Sequence, residues 1–380
     1  MSGPDALVGD LAARGVLTDG RVRAALLAVP RHLFVPRRGW VSPDRADAEG
    51  FLADSVADPE GWWTAAYSDA SIWLQADDGA EDPTTGRGFA TSSLSAPGVV
   101  VEFLQLLGVR PGHRVLEVGT ASGWTAALLE HLSGGAGSVY SVEVDENVAA
   151  SAAVALDARG SRVIRVLGDG ALGVPEAAPF DRVHITCAVT AIPSALVRQT
   201  RPGGIIVAPW SPGGPDGHRL RLTVTGEETA TGTLHGRANY MLMRSQRYGR
   251  WRAHHVERAE TSTTALDPRE IAGAGPGAAL AIAACAPGVS WHTVSDEAGA
   301  VSLLLCERNR AEGSWAACDH EPGAARFGVT QYGERRLWDE VENAFLRWCS
   351  WGRPGLERFG VALAGAELTV WLDAPGRIVR

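Results

Sequence analysis

The sequence contains no lysine: all 35 of its basic residues are arginine, and 44 acidic residues outnumber them. The formal net charge of −9 does not supply the basic field that general nucleic-acid binding needs. No apolar stretch approaches the roughly 18 residues of a membrane-spanning helix. The beginning, MSGPDALVGD, lacks the basic and apolar regions of a signal peptide. We therefore expect no nucleic-acid partner, no membrane association and a cytoplasmic location.

Cysteine and histidine also lack the groupings that mark a disulfide framework or a metal centre. The five cysteines are scattered and contain no CxxC pair, which fits a reducing compartment. No pair among the ten histidines has the spacing of metal ligands. The sequence therefore predicts no metal site.

From residue 95 onward, short apolar segments alternate with amphipathic ones, a pattern typical of a parallel, doubly wound α/β sheet. The predicted strands are 114–118, 138–142, 162–166, 182–186 and 204–208, with 220–225 and 240–244 extending the sheet. The preceding segment, 39–88, is rich in Asp, Ala, Gly and Pro. For that segment we predict long loops with one or two short elements.

The composition changes near residue 246. Seven of the 13 tryptophans and four of the five cysteines follow that point. Apolar residues between 337 and 348 recur at spacings of three and four, which predicts a helix with one buried face. Two alternating segments around Gly365 predict a hairpin. We expect a smaller C-terminal α+β domain at 246–380, after a larger domain at 1–245.

The strongest motif is VLEVGTASGW at 115–124. A strand ending at Gly119 can turn tightly and approach a ligand closely, and the following helix begins with free amides. Its E-x-G-x-x-x-G spacing suits an amino-acid tail and a ribose better than a pyrophosphate. Glu143 and Asp169 end the next two predicted strands, where carboxylates can accept ribose hydroxyls or an adenine amine. Each feature alone is weak, but together they predict a nucleoside cofactor.

The order of the motifs resembles that of the protein-L-isoaspartate O-methyltransferases. The resemblance covers about residues 5–245 and rests on 29–36 (VPRHLFVP), 94–97 (LSAP), 115–124, 139–143, 168–170 and 201–204. It implies a Rossmann-like class I methyltransferase fold that uses S-adenosyl-L-methionine and releases S-adenosyl-L-homocysteine.

The resemblance also implies site residues. Ser95, in the loop that contacts the reacting carboxylate, is the expected catalytic residue. The expected substrate contacts are Ser92, Ser95 and Thr186. The expected cofactor contacts are Ser93, Glu117, Gly119, Thr120, Ala121, Ser122, Gly123, Glu143, Asp169 and Gly170. The absence of a catalytic base fits this chemistry, because a carboxylate with a pKa near ~4 is already a nucleophile at neutral pH.

Two features depart from the family pattern: an insertion at about 38–92 and the added residues 246–380. A long form of this kind resembles methyltransferases associated with ribosomally made, modified peptides. We therefore predict methylation of an Asp in a constrained, macrocyclic precursor peptide, leading to a succinimide (aspartimide) or isoaspartate. Repair of isoaspartyl proteins is the alternative, and a non-catalytic cofactor-binding partner subunit is a third hypothesis. The peptide, its ring and the oligomeric state stay open.

Overall fold

The computed structural model describes residues 3–43, 49–249, 253–308, 310 and 312–380. Residues 44–48 of the predicted insertion, and 250–252, 309 and 311 of the predicted C-terminal domain, lie outside the described residues. The chain forms two compact units. The first comprises Met1–Cys187, Pro193–Ala208 and Thr223–Glu228, and the second comprises Ala188–Ile192, Pro209–Leu222 and Thr229–Arg380.

The first unit begins with helices and a small antiparallel sheet. Its helices are α1 (Pro4–Ala13), α2 (Gly20–Ala28) and α3 (Pro59–Ala66), and its strands are β1 (Arg38–Pro43), β2 (Phe51–Asp54), β3 (Ala70–Ala76) and β4 (Ala90–Leu94), in the order β2-β1-β3-β4. The prediction of long loops over 39–88 is therefore wrong. These strands contain few β-branched residues, the type that strands favour most, so antiparallel pairing with partner strands decides their structure.

A parallel sheet forms the centre of the first unit. It contains β5 (Arg114–Val118), β6 (Ser138–Glu143), β7 (Ile164–Leu167), β8 (Phe180–Ile185) and β9 (Thr200–Trp210) in the order β7-β6-β5-β8-β9. Four helices accompany it: α4 (Pro97–Leu107), α5 (Trp124–Ser133), α6 (Glu146–Asp157) and α7 (Ser194–Arg198). Val115 of β5 lies opposite Val139 on one side and Arg182 on the other. The predicted doubly wound Rossmann-like sheet is confirmed, and its strand order reverses beside β5, where such sheets bind ligands.

Two long strands follow, β10 (His218–Gly226) and β11 (Thr229–Arg237). β10 confirms the strand predicted at 220–225 and is the next strand of the sheet beyond β9. The prediction of a strand at 240–244 is wrong, because that segment forms only an isolated β-bridge, between Leu242 and Ala188. In β11, buried residues alternate with exposed threonines, and this alternation is the signal that favours a strand there.

The second unit holds a separate antiparallel sheet, helices and a hairpin. The sheet has the order β12-β16-β15-β14-β13 and consists of β12 (Glu260–Thr264), β13 (Val289–Ser295), β14 (Val301–Glu307), β15 (Trp315–His320) and β16 (Phe327–Tyr332). The other elements are α8 (Pro268–Ala272), α9 (Pro276–Cys285), α10 (Leu337–Ser350), β17 (Phe359–Ala364) and β18 (Glu367–Leu372).

Helix α10 and the hairpin confirm two predictions for the C-terminal region. The buried face of α10 consists of Leu337, Trp338, Val341, Ala344, Phe345 and Trp348, which are the residues that its spacing selects. β17 and β18 pair around Gly365, and β17 also pairs with β11. Within the described ranges, no helix is both long and apolar enough to cross a lipid bilayer.

Candidate active site

The turn between β5 and α5 has an unusual backbone. Gly119, Ala121 and Gly123 have φ angles of 101°, 48° and 84°, so three of its residues adopt left-handed conformations. A side chain at Gly119 would collide with the hydroxyl of Thr186. That hydroxyl lies 2.6 Å from the Gly119 carbonyl oxygen and 2.9 Å from that of Val118. Thr186 thus fastens the turn from the end of β8.

A chain of hydroxyl groups connects this turn to a buried carboxyl group. Ser141 Oγ donates to Glu117 Oε2 at 2.5 Å, and the Thr120 hydroxyl lies 2.6 Å from Ser141 Oγ. Glu117 is fully buried, and this desolvation raises its pKa to about 8. Its other oxygen, Oε1, has no hydrogen-bond partner within the described parts of the chain. An acceptor is therefore left unpaired at the end of β5.

Glu143, the last residue of β6, connects the turn to the next loop. Its Oε2 accepts the Ala121 amide at 3.0 Å, and its Oε1 accepts the amides of Val144 at 3.0 Å and Asp145 at 3.2 Å. A carboxylate offers about four acceptor positions, so these bonds leave about one free. The carboxylate is partly exposed and fixed in direction.

The loop after β7 approaches the same strand ends. Asp169 Oδ1 accepts the Ala171 amide at 2.9 Å and caps a short 3-10 turn. A side chain at Gly170 would run into Val118 of β5, so the loop comes very close to that strand. The structure thus brings the predicted cofactor residues after β5, β6 and β7 to one edge of the parallel sheet.

The predicted acceptor loop lies between β4 and α4. Ser92 and Ser93 are in β4, paired opposite Gln75 and Trp73 of β3, and Ser95 follows the strand directly. Ser95 is half-buried. The roles assigned to these serines, to Thr186 and to the cofactor residues stay predictions.

Gln75 is a connection that the sequence did not reveal. It lies at an irregularity in the β3–β4 pairing and is buried. Its amide nitrogen donates to Asp145 Oδ2 at 2.9 Å, and its oxygen accepts the Thr91 hydroxyl at 3.0 Å. The small antiparallel sheet is therefore bonded to the loop that follows Glu143, and the only advance signal was a lone Gln in an apolar segment.

Arg31 and Asp69 are two further residues near the site that were not predicted from the sequence. Arg31, inside the VPRHLFVP segment, donates to the carbonyl oxygens of Ser95 at 3.0 Å and Ala70 at 2.8 Å. Asp69 Oδ1 accepts the Gly98 amide at 2.6 Å in the first turn of α4. Both residues hold the backbone around Ser95. An arginine between apolar residues and prolines was the signal available in the sequence.

Across the ranges that the structure describes, no group of three or more His, Cys, Asp or Glu side chains could hold a metal ion.

Comparison with known proteins identifies the family of this chain. The sequence profile described as "Protein-L-isoaspartate(D-aspartate) O-methyltransferase (PCMT)" matches residues 58–225. The Protein-L-isoaspartate O-methyltransferase of Aeropyrum pernix is 35% identical over 61% of this chain and 74% of its own length. The chain belongs to the protein-L-isoaspartate O-methyltransferase family. It is accordingly an S-adenosyl-L-methionine-dependent carboxyl O-methyltransferase.

Further members of the family give the same result. Protein-L-isoaspartate O-methyltransferase 2 of Anaeromyxobacter sp. is 37% identical over 58% of this chain and 73% of its own length. A solved structure named protein-L-isoaspartate O-methyltransferase superposes with a TM-score of 0.54 at 19% identity, covering 98% of this chain and 100% of that one. At this identity the likeness concerns the fold, and it extends over both units of the chain.

The residues at the strand ends fit the family cofactor. Gly119 lacks the side chain that would block the turn, and Glu143 presents a fixed carboxylate. Glu117 Oε1 has no hydrogen-bond partner among the residues that the structure describes. These groups suit a ligand with an amino-acid tail and ribose hydroxyls. We assign the tail to the Gly119 turn and the ribose to Glu143 as predictions.

Proposed function

We propose that this protein methylates the free carboxylate of isoaspartyl residues in peptides and proteins. Family membership carries the proposal, since the relatives that are 35% and 37% identical are named for this activity. The serine loop after β4 and the glycine turn after β5 supply the two halves of such a site. This reaction, the alternative in the sequence analysis, is better supported than the modified-peptide reaction.

The chemistry requires positioning more than proton transfer. When bound, S-adenosyl-L-methionine supplies a methyl group on a sulfonium cation. The acceptor carboxylate is already ionised at neutral pH, so no side chain has to remove a proton. The Ser95 hydroxyl would donate to one carboxylate oxygen and leave the other free to attack. Holding the reacting groups close together and away from water supplies much of the acceleration, because opposite charges are neutralised as the methyl transfers.

A second candidate is methylation of an ordinary Asp in a constrained peptide. One observation favours it: the family profile ends at residue 225, and the chain continues through α8–α10 and the sheet β12–β16. In this proposal, residues 246–380 form a peptide-binding domain and work with the insertion at 38–92. Against it, the fold of a solved protein named as an isoaspartate methyltransferase aligns with 98% of the chain. An extra unit is therefore no sign of a special substrate.

One experiment separates the two reactions. Three acceptors of the same sequence are compared by kcat/KM: a linear peptide with isoaspartate, its linear Asp isomer and a cyclised Asp peptide. The proposal expects the isoaspartyl peptide to be the best acceptor and the linear Asp isomer to be inert. Preference for the cyclised Asp peptide would replace the proposal with the second candidate.

A further inference from the structure

Arg31 occupies a central position beside the acceptor loop. It is 1% exposed, and its two terminal nitrogens donate to four carbonyl oxygens. The acceptors are Ala66 at 3.0 Å, Ser68 at 3.3 Å, Ala70 at 2.8 Å and Ser95 at 3.0 Å. One side chain therefore joins the segment between α3 and β3 to the residue that is expected to meet the substrate.

The segment held by Arg31 also holds the other end of the acceptor loop. Asp69 lies between Ser68 and Ala70 and accepts the Gly98 amide at 2.6 Å. Asp69 also forms an ion pair with Arg14. The backbone from Ser95 to Gly98 is thus fixed at both ends, directly by Arg31 and through Asp69. These two residues therefore set the position of the Ser95 backbone, from which its hydroxyl extends.

Arg31 also contacts α5, the helix that follows the turn at residues 119–123, here called the cofactor turn. Its guanidinium carbon lies 5.4 Å from the ring centroid of Trp124, the first residue of α5. The indole nitrogen of Trp124 donates to the Val29 carbonyl at 3.1 Å, close to Arg31 in the chain. Burial lowers the pKa of Arg31 to about 9, so the guanidinium is still charged at neutral pH. Its bonds to the carbonyls are therefore charge-assisted.

We propose that Arg31 is a positioning residue for methyl transfer, which fixes the Ser95 backbone relative to the start of α5 and the cofactor turn. The inference rests on the proposed function, because it assigns Ser95 to the acceptor carboxylate. Arg31 itself touches neither reactant. Its planar group serves four carbonyls at once, which the single ammonium group of a lysine cannot match.

The test compares Arg31→Lys and Arg31→Met with Arg21→Met. Arg21 is a matched control, because it also donates to two carbonyls of the first unit, those of Val109 at 2.7 Å and Leu132 at 3.0 Å. Three quantities are measured: kcat with an isoaspartyl peptide, the Kd for S-adenosyl-L-homocysteine, and amide hydrogen exchange over 66–70 and 92–98. Thermal unfolding identifies any variant that has lost its fold.

We expect Arg31→Lys to lower kcat by about 100-fold, the loss typical of a misplaced reactive group. The Kd should stay near the wild-type value, and exchange over 92–98 should accelerate. Arg21→Met should leave kcat and that exchange unchanged. Wild-type kcat and exchange in Arg31→Lys would overturn the inference. If the wild-type protein does not methylate isoaspartyl peptides, the proposed function fails. Amide hydrogen exchange over 92–98 in the Arg31 variants then still shows whether Arg31 fixes the acceptor loop.

Discussion

Among single residues, Glu143 offers the most direct test of cofactor binding. Its carboxylate accepts three backbone amides, including that of Ala121 in the turn, and is predicted to bind the ribose. Glu143→Ala should weaken S-adenosyl-L-homocysteine binding by roughly 1.5–3 kcal/mol, the value of hydrogen bonds to a charged group. Calorimetry measures the change. Glu130→Ala is the control, since Glu130 accepts the Arg162 amide within the same unit but has no predicted cofactor role. Equal affinities in all three proteins would remove Glu143 from the site.

Ser95 should act on turnover and not on cofactor affinity. Ser95→Ala removes a donor that is expected to contact the acceptor carboxylate as it reacts, so the loss belongs to the transition state. We expect a large decrease in kcat at saturating peptide and an unchanged Kd for S-adenosyl-L-homocysteine. Ser151→Ala, on α6, is the control because its hydroxyl donates to the Asn147 carbonyl at 2.9 Å within the same helix and has no predicted role in the site. A normal kcat in Ser95→Ala would make Ser95 a simple turn residue.

Some of these residues could be predicted from the sequence and others could not, for a physical reason. Gly119, Glu143 and Asp169 each follow a strand, and parallel strands bring their carboxyl ends to one edge. Their grouping could therefore be predicted. Arg31 and Gln75 act through partners far along the chain, Ser95 and Asp145, and no local pattern records such contacts.

Among the elements, the turn from β5 to α5 depends on its backbone. Gly119 has φ of 101°, and a Cβ there would meet Thr186. Gly119→Ala should destabilise the protein by about 1–3 kcal/mol and weaken cofactor binding. Gly112→Ala is the control that separates backbone strain from steric collision. Gly112 has φ of 84°, but a Cβ added there would have no atom within 4 Å. Denaturation of both variants measures the difference. Equal destabilisation would show that close contact with Thr186 has no energetic weight.

Strand β8 carries a buried histidine that should affect acid stability. Burial lowers the pKa of His184 to about 3, whereas the unfolded chain titrates near 6.5. Between these values the unfolded state binds more protons, so stability falls as pH decreases below 6.5, by up to about 1.4 kcal/mol per pH unit. His184→Gln should lack this contribution. Urea denaturation between pH 4 and 7 measures how the free energy of unfolding changes with pH in the wild type and the variant. If the two proteins show the same pH dependence, His184 does not contribute to acid destabilisation.

Whether a strand could be predicted from the sequence depended on its amino-acid composition. Strand β5 of the parallel sheet is buried apart from its first residue and reads as an almost continuous apolar segment, with Val115, Leu116 and Val118. The strands β1–β4 contain few β-branched residues and depend on partners elsewhere in the chain. They could not be predicted from local pattern, although they hold Ser92, Ser93 and Gln75.

At the scale of the whole molecule, the second unit has a buried core of its own. Its tryptophans at 338 and 348 belong to the buried face of α10, which is a role in its own core. The alignment with a solved isoaspartate methyltransferase extends over both units. We propose the general isoaspartyl reaction for this chain, because relatives 35% and 37% identical to it are named for that activity.

The most direct test of this proposal is the product formed by the 380-residue chain. The protein is incubated with S-adenosyl-L-methionine and a linear isoaspartyl peptide, and the peptide is followed by tandem mass spectrometry. We predict the gain of one methyl group at the isoaspartyl carboxylate, followed by loss of methanol as the next backbone nitrogen closes a succinimide. An unmodified isoaspartyl peptide, beside a cyclised Asp peptide that does gain the methyl group, would contradict the account.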